Sequence, residues 1–225
     1  MTLHLVLAES ALELVPDEIR NTPAVKSDAR RRATDPSAIL LDRSIHHSSM
    51  LRLNRGLKRG RPDLVHAAIL SATGTPLFIN GQLRVYVHTN QDLVLQIEAG
   101  TRIPKNYFRF RGLAEKLLVE RPETGLVKVS HAGVVELVRK VIGPDKVIGM
   151  STQGAPDDIG ELSGELAASR RPCVLVGGFP HGHFDPAVLR LTDRLVRISP
   201  LPLEAHVVVA RVVYEVEKAT SRIND

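Results

Sequence analysis

CVLVGGFPHGH, residues 173–183, reads as a short buried strand over 173–176 that breaks at Gly177 and Gly178, crosses Pro180 and reaches a third glycine, Gly182. Adjacent glycines at a strand end carry no Cβ, so the backbone can take positive φ and another group can come close to it. A ligand is one candidate for that group; a pair of ordinary turns is the other reading of the same pattern. The punctuation recurs in RISPLPL, residues 197–203, a second strand end stiffened by Pro200 and Pro202 and followed by a long apolar helix. Two rigid loops at strand ends are how an α/β protein commonly builds a small-molecule crevice, so the expected class is α/β.

Working outward, 225 residues with 43% hydrophobic content suffice for one α/β domain with insertions, or a domain and a half, without covalent staples. A single cysteine, Cys173, excludes an intramolecular disulfide, disfavours a cysteine-built zinc site and fits a reducing cytosol. The absence of a secretory leader or an apolar run of spanning length predicts a soluble, cytoplasmic protein with no membrane partner. A net charge of +5 favours a polyanionic partner modestly; where the charge lies matters more.

Upstream, 3–7 reads as a strand, and Ser10 as the cap of a short helix carrying Leu12 and Leu14. No glycine precedes Gly56, so a GxGxxG loop after the first strand is missing, which argues against an N-terminal Rossmann methyltransferase or dehydrogenase. Lys26 and Arg30 to Arg32 sit on a polar helical segment. A second strand is expected over 38–41, running into a polar βα turn at 42–47. Adjacent His46 and His47 point to different sides of any regular element, which makes them poor joint metal ligands; no metal is expected. RLNRGLKRGR, residues 52–61, holds five basic residues and no acid. With two glycines it reads as a mobile loop, either a phosphate clamp or a solvated surface. Pro62 and Asp63 open a helix through about 72, where an acid in the first turn complements the dipole.

TRIPKNYFRFRGL, residues 101–113, is sharper. With Pro104 near a helix start, Arg102, Lys105 and Arg109 fall at spacings of three and four and can project from one side. Cations at a helix N-terminus oppose its dipole, so local stability does not explain them and function is the better account. Tyr107, Phe108 and Phe110 interleave with these cations; aromatics at this spacing are more often core, with stacking on RNA bases the competing reading. Strands are expected over 83–88, 93–97, 126–129, 146–150 and 195–199, and helices over 134–141 and 157–166. A third loop, 151–154, is able to face the crevice. The final helix, 203–218, carries an apolar surface wider than one sheet face covers, which points to a subunit interface.

Six separated motifs then stand in register: LLDRSIHHSSM, GRPDLVHAAIL, VYVHT, TRIPKNYFRFRGL, VGGFPHGHF and ISPLPLEA. In this order they resemble the ribosome-biogenesis pseudouridine N1-methyltransferases, the essential-for-mitotic-growth family of the SPOUT superfamily, in their archaeal-type form. The resemblance implies one SPOUT-like domain over 1–225, with a basic loop at about 52–61 and a cofactor-binding trefoil knot at about 146–220. It also implies a homodimer, S-adenosylmethionine as methyl donor, and methylation of N1 of a pseudouridine in small-subunit rRNA, in the company of other ribosome assembly proteins that the sequence does not name.

Carried over position by position, Gly177, Gly178 and Gly182 with Ile198, Ser199, Pro200, Leu201, Pro202 and Leu203 match the family's cofactor loops. Arg61, Arg102, Lys105 and Arg109 match its RNA-contacting basics, and Asp63 matches an acid that orients a neighbouring arginine. At Lys105 many relatives have arginine; lysine keeps the charge and loses the bidentate fork. No residue stands out as a catalytic base. A non-catalytic rRNA-binding assembly factor of the same fold is the alternative, and a modifying enzyme acting on another RNA or base differs only in substrate.

Overall fold

The computed structural model describes residues 1–224, the side chains of 222–224 excepted. In chain order its elements are β1 (Leu3–Ser10), α1 (Pro23–Arg32), α2 (Arg43–Met50), α3 (Pro62–Thr73), α4 (Pro76–Ile79), β2 (Leu83–Thr89), β3 (Leu93–Ile97) and α5 (Tyr107–Glu120). There follow β4 (Val127–His131), α6 (Val134–Glu136, running on as a π-helix over Leu137–Ile142), β5 (Lys146–Pro156), α7 (Ile159–Ala168), β6 (Pro172–Gly177), α8 (Pro186–Leu189), β7 (Arg194–Arg197) and α9 (Ala205–Asn224).

The seven strands form one sheet in the order β4-β3-β2-β1-β6-β5-β7. The five strands from β2 to β7 are parallel, and β3 and β4 continue it antiparallel. β1 lies at the centre with all eight residues buried, as a strand covered on both faces must. Its side chains alternate between two cores. Leu3, Leu5 and Leu7 pack with α3, α5, α7 and α9, whereas Val6 and Ala8 pack with Cys173, Leu175 and residues of α6 and α8. Burial raises the Cys173 thiol well above its ordinary range and leaves it inert.

Three local expectations give way to tertiary structure. Ser10 ends β1 instead of capping a helix; its hydroxyl donates to the Leu7 carbonyl at 2.8 Å. Leu12 belongs to the main core and Leu14 makes a single antiparallel bridge to Leu40, so residues 38–41 supply one bridge and no strand. The chain between β1 and α3 instead closes over its own small core of Val15, Ile19, Val25, Ala29, Ile39, Leu41, Met50 and Leu53. On α9, Val209, Val212, Val213 and Val216 are consumed within the same chain, leaving Val207 and Val208 half-buried and Tyr214 exposed.

β5 runs six residues further than expected. Val196 pairs with both Met150 and Ala155, so residues 151–154 arch past β7. A Cβ on Gly154 would lie 2.5 Å from the Val196 backbone, so only glycine lets the two chains approach this closely.

Candidate functional site

The carboxyl ends of β5, β6 and β7 open into a cleft of about 410 Å³. One wall is the loop after β6, with Gly177, Phe179 to Phe184 and, among them, Gly182. The opposite wall is the segment after β7, with Ile198, Ser199, Leu201, Pro202 and Leu203. Met150, Ser151 and Thr152 of β5 form the floor, and Leu64 of α3 with Ala205 and Val208 of α9 close the side. The arching segment 151–154 thus reaches the cleft, as its loop-like composition led one to expect. Leu64, Ala205 and Val208 carried no local signal, because each is an ordinary apolar residue on a helix.

Gly178 and Pro200 do not line the cleft. Gly178 is buried against the end of β1: its N–H donates to the Ala8 carbonyl at 2.9 Å, its carbonyl accepts from Ala11, and a Cβ would fall 2.2 Å from the Ser10 hydroxyl oxygen. Among the three glycines only Gly182 takes a positive φ, +95°. The pair at 177–178 serves close approach, and part of what approaches is β1.

Beside the cleft, α3 starts at Pro62. Arg61 donates twice to Asp63, from Nε to Oδ1 and from Nη2 to Oδ2, each at 2.8 Å. This bidentate pair holds the Asp63 carboxyl below its ordinary range although partial burial opposes it. Three residues on, His66 Nε2 donates to the Pro104 carbonyl at 2.7 Å and its ring stacks on Phe110 at 4.1 Å. The Tyr107 hydroxyl donates to Asp42 at 2.6 Å. The segment 101–110, which carries Arg102, Lys105 and Arg109, is therefore tethered to α3, the helix that Arg61 precedes, and to the start of α2.

These cations do not all belong to a helix. Asn106 is the N-cap, accepting from the Arg109 N–H, so Arg109 lies in the first turn while Arg102 and Lys105 lie in the preceding loop. The dipole argument applies in full only to Arg109. All three are exposed, and among the described residues none has a carboxylate within ion-pairing distance. Phe110 joins the core and Tyr107 packs against it, but Phe108 remains 68% exposed and departs from the core reading.

The profile of the EMG1/NEP1 methyltransferase family matches residues 5–217. The chain belongs to that family. The chain is 40% identical over 221 residues to the protein named ribosomal RNA small subunit methyltransferase Nep1 from Pyrococcus furiosus, covering 96% of each. The Nep1 of Thermococcus kodakarensis is 41% identical over 223 residues, 96% of this chain and 98% of that one. The crystal structure of Archaeoglobus fulgidus Nep1 bound to S-adenosylhomocysteine superposes with a TM-score of 0.86 at 35% identity, covering 98% of this chain and all of that one.

In this EMG1/NEP1 chain the 52–61 run is less free than its composition implies. Arg59 pairs with buried Glu13 at 2.6 Å, Arg55 with Asp185 at 2.6 Å, and Lys58 with both Glu9 (3.1 Å) and Asp185 (3.2 Å). The Lys58 ammonium also lies 4.3 Å from the centre of the Phe179 ring in the cleft wall. The run is thus latched to the loop after β6, and with the Arg61–Asp63 pair four of its five cations have carboxylate partners within the chain. Glu9 is the hub: it sits at φ +53°, accepts the Asp185 N–H at 3.2 and 3.3 Å, and is 5% exposed. Burial, reinforced by the adjacent Asp185 carboxylate, pushes Glu9 up to about 7 against the pull of Lys58.

His46 is buried, with Nδ1 accepting the Asp42 N–H at 3.1 Å, a structural role. Among the described residues no three His, Cys, Asp or Glu side chains are grouped to hold a metal ion. Nor is any described helix long and apolar enough to cross a membrane.

Proposed function

We propose that this chain transfers a methyl group from S-adenosylmethionine to N1 of a pseudouridine in small-subunit rRNA during ribosome biogenesis. The observation that carries this reading is the shared first turn of α3: Leu64 lines the cleft, and the preceding Asp63 holds Arg61 on the cationic face. A donor site and a polyanion site are thereby one residue apart.

The lining suits an adenosyl donor. The volume lies within the range of small-molecule sites, and the walls are mainly apolar with hydroxyls from Ser151, Thr152 and Ser199. Gly177 and Gly182 let main-chain amides and carbonyls come close where a side chain would fill the space. S-adenosylmethionine supplies an activated methyl group on sulfur. The chain's own residues have two tasks. Arg61, Arg102, Lys105 and Arg109 take the phosphates of a looped or single-stranded RNA, and the cleft mouth receives a base that has left its stack. Holding the acceptor nitrogen in line with the methyl group is the main source of rate. Pseudouridine offers a ring N–H at N1, where uridine is bonded to its ribose.

The same reading includes a cytoplasmic homodimer, with exposed Tyr214 and Leu201 and the half-buried flank of α9 as the surface left for a second copy. It includes the single domain with a knotted cofactor segment at about 146–220 that the family resemblance implies. Calorimetry with S-adenosylhomocysteine, together with label transfer from S-adenosylmethionine to small-subunit rRNA, tests the function. Binding and labelled RNA are expected. Bound donor and bound RNA with no label would point to a non-catalytic assembly factor.

A further inference from the structure

Phe108 is a large exposed aromatic with no structural reason to be one. We propose that its ring is a stacking platform for an unpaired RNA base next to the modified nucleotide, an assignment that rests on the rRNA reading above. Its neighbours leave it no route inward: Tyr107 is tied to Asp42 and Phe110 is sandwiched on His66. The Asn106 cap fixes the first turn of α5, so the ring projects to solvent from a rigid base. The Tyr107 ring flanks it at 5.9 Å and 60°, and the Arg111 guanidinium lies over the ring, 5.4 Å from its centroid, so an RNA base would take the opposite face.

The surroundings decide what kind of partner fits. Arg102, Lys105, Arg109 and Arg111 surround the ring in sequence, and among the described residues none is paired with a carboxylate; Arg111 Nε has no hydrogen-bond partner at all. This contrasts with the 52–61 run, whose Arg55, Lys58 and Arg59 are matched by Glu9, Glu13 and Asp185. An exposed aromatic amid cations without carboxylate partners is the chemistry of single-stranded nucleic acid: cations track phosphates, and the open face of the ring takes a base of any sequence. A duplex offers no free base face, so the platform discriminates in favour of looped RNA.

Binding of a single-stranded, pseudouridine-containing RNA to the full chain across a salt series tests this. Phe108→Ala is expected to weaken binding by about 5- to 100-fold with an unchanged salt slope and melting temperature, while Phe108→Tyr binds as the parent. An abasic site at one position flanking the target should reproduce the loss in the parent and add nothing in Phe108→Ala. The triple replacement of Arg102, Lys105 and Arg109 by alanine should instead flatten the salt slope. If the triple variant weakens binding and Phe108→Ala does not, the platform is overturned and the RNA face stands. If neither changes RNA affinity, both fall. If Phe108→Ala weakens duplex RNA as much as single strands, the ring acts by packing and the proposal fails.

Discussion

Asp63 has two competing explanations that a single substitution separates. As a first-turn acid it contributes up to about 1 kcal/mol through the helix dipole. As the bidentate partner of Arg61 it fixes the direction of a guanidinium on the cationic face. Asp63→Asn is expected to lower RNA affinity on the order of tenfold while costing less than about 1 kcal/mol in urea unfolding. Glu9 yields a pH test. Because its folded pKa, about 7, exceeds the ordinary value of 4.5, the folded chain holds a proton there that the unfolded chain has lost. Its contribution to stability is present below about pH 4.5 and fades as the pH rises through 7. Glu9→Gln keeps a neutral group at the hub, so its stability relative to the parent should improve by roughly 1–3 kcal/mol from pH 5 to pH 8. Equal urea midpoints shifts at both pH values would show that Glu9 does not titrate in that window. Neither the Glu9 hub nor the exposure of Phe108 was legible in the sequence. The partners of Glu9, Lys58 and Asp185, lie 49 and 176 residues away, and Phe108 is set apart from Tyr107 and Phe110 only by which neighbours pin the helix.

At the scale of elements, strands buried on both faces or alternating cleanly were readable: β1, β2, β3 and β6 stand where their apolar runs place them. Helices with a proline at the start, such as α3, were equally plain. What failed were short apolar stretches whose environment is set by distant chain. Leu12 and Leu14 resemble a helix face and are in fact a crossing segment stitched to Leu40. The opening stretch 173–183 did mark the cleft, yet its two adjacent glycines have different duties: Gly177 faces the cleft and Gly178 packs on Ser10. Gly178→Ala should therefore lose ~2 kcal/mol of stability by overpacking, while the folded fraction binds S-adenosylhomocysteine within about threefold of the parent. Calorimetry combined with thermal unfolding checks both halves.

For the molecule as a whole, the sheet places the cleft at the ends of three parallel strands, and the pinned 101–110 segment carries the bare cations beside it. The insert between β1 and α3 has its own small core, and its basic run latches onto the cleft wall through Lys58. It thus braces the cleft wall, and its paired cations make Arg102, Lys105 and Arg109 the proposed phosphate contacts. The apolar surplus read from the last helix was largely an intrachain matter, since its sequence could not reveal that α3 and α7 would cover Val209, Val213 and Val216. The remaining flank should still bury on a second copy: sedimentation at micromolar concentration is expected to give a dimer, and a stable monomer would contradict it. The central claim, methyl transfer to N1 of pseudouridine, is tested most directly by nucleoside mass analysis of two matched RNA oligonucleotides, one with pseudouridine at the target and one with uridine, after incubation with the full chain and labelled S-adenosylmethionine. N1-methylpseudouridine from the first and unmodified uridine from the second is the expected result; equal methylation of both, or of neither while donor and RNA are bound, would contradict it.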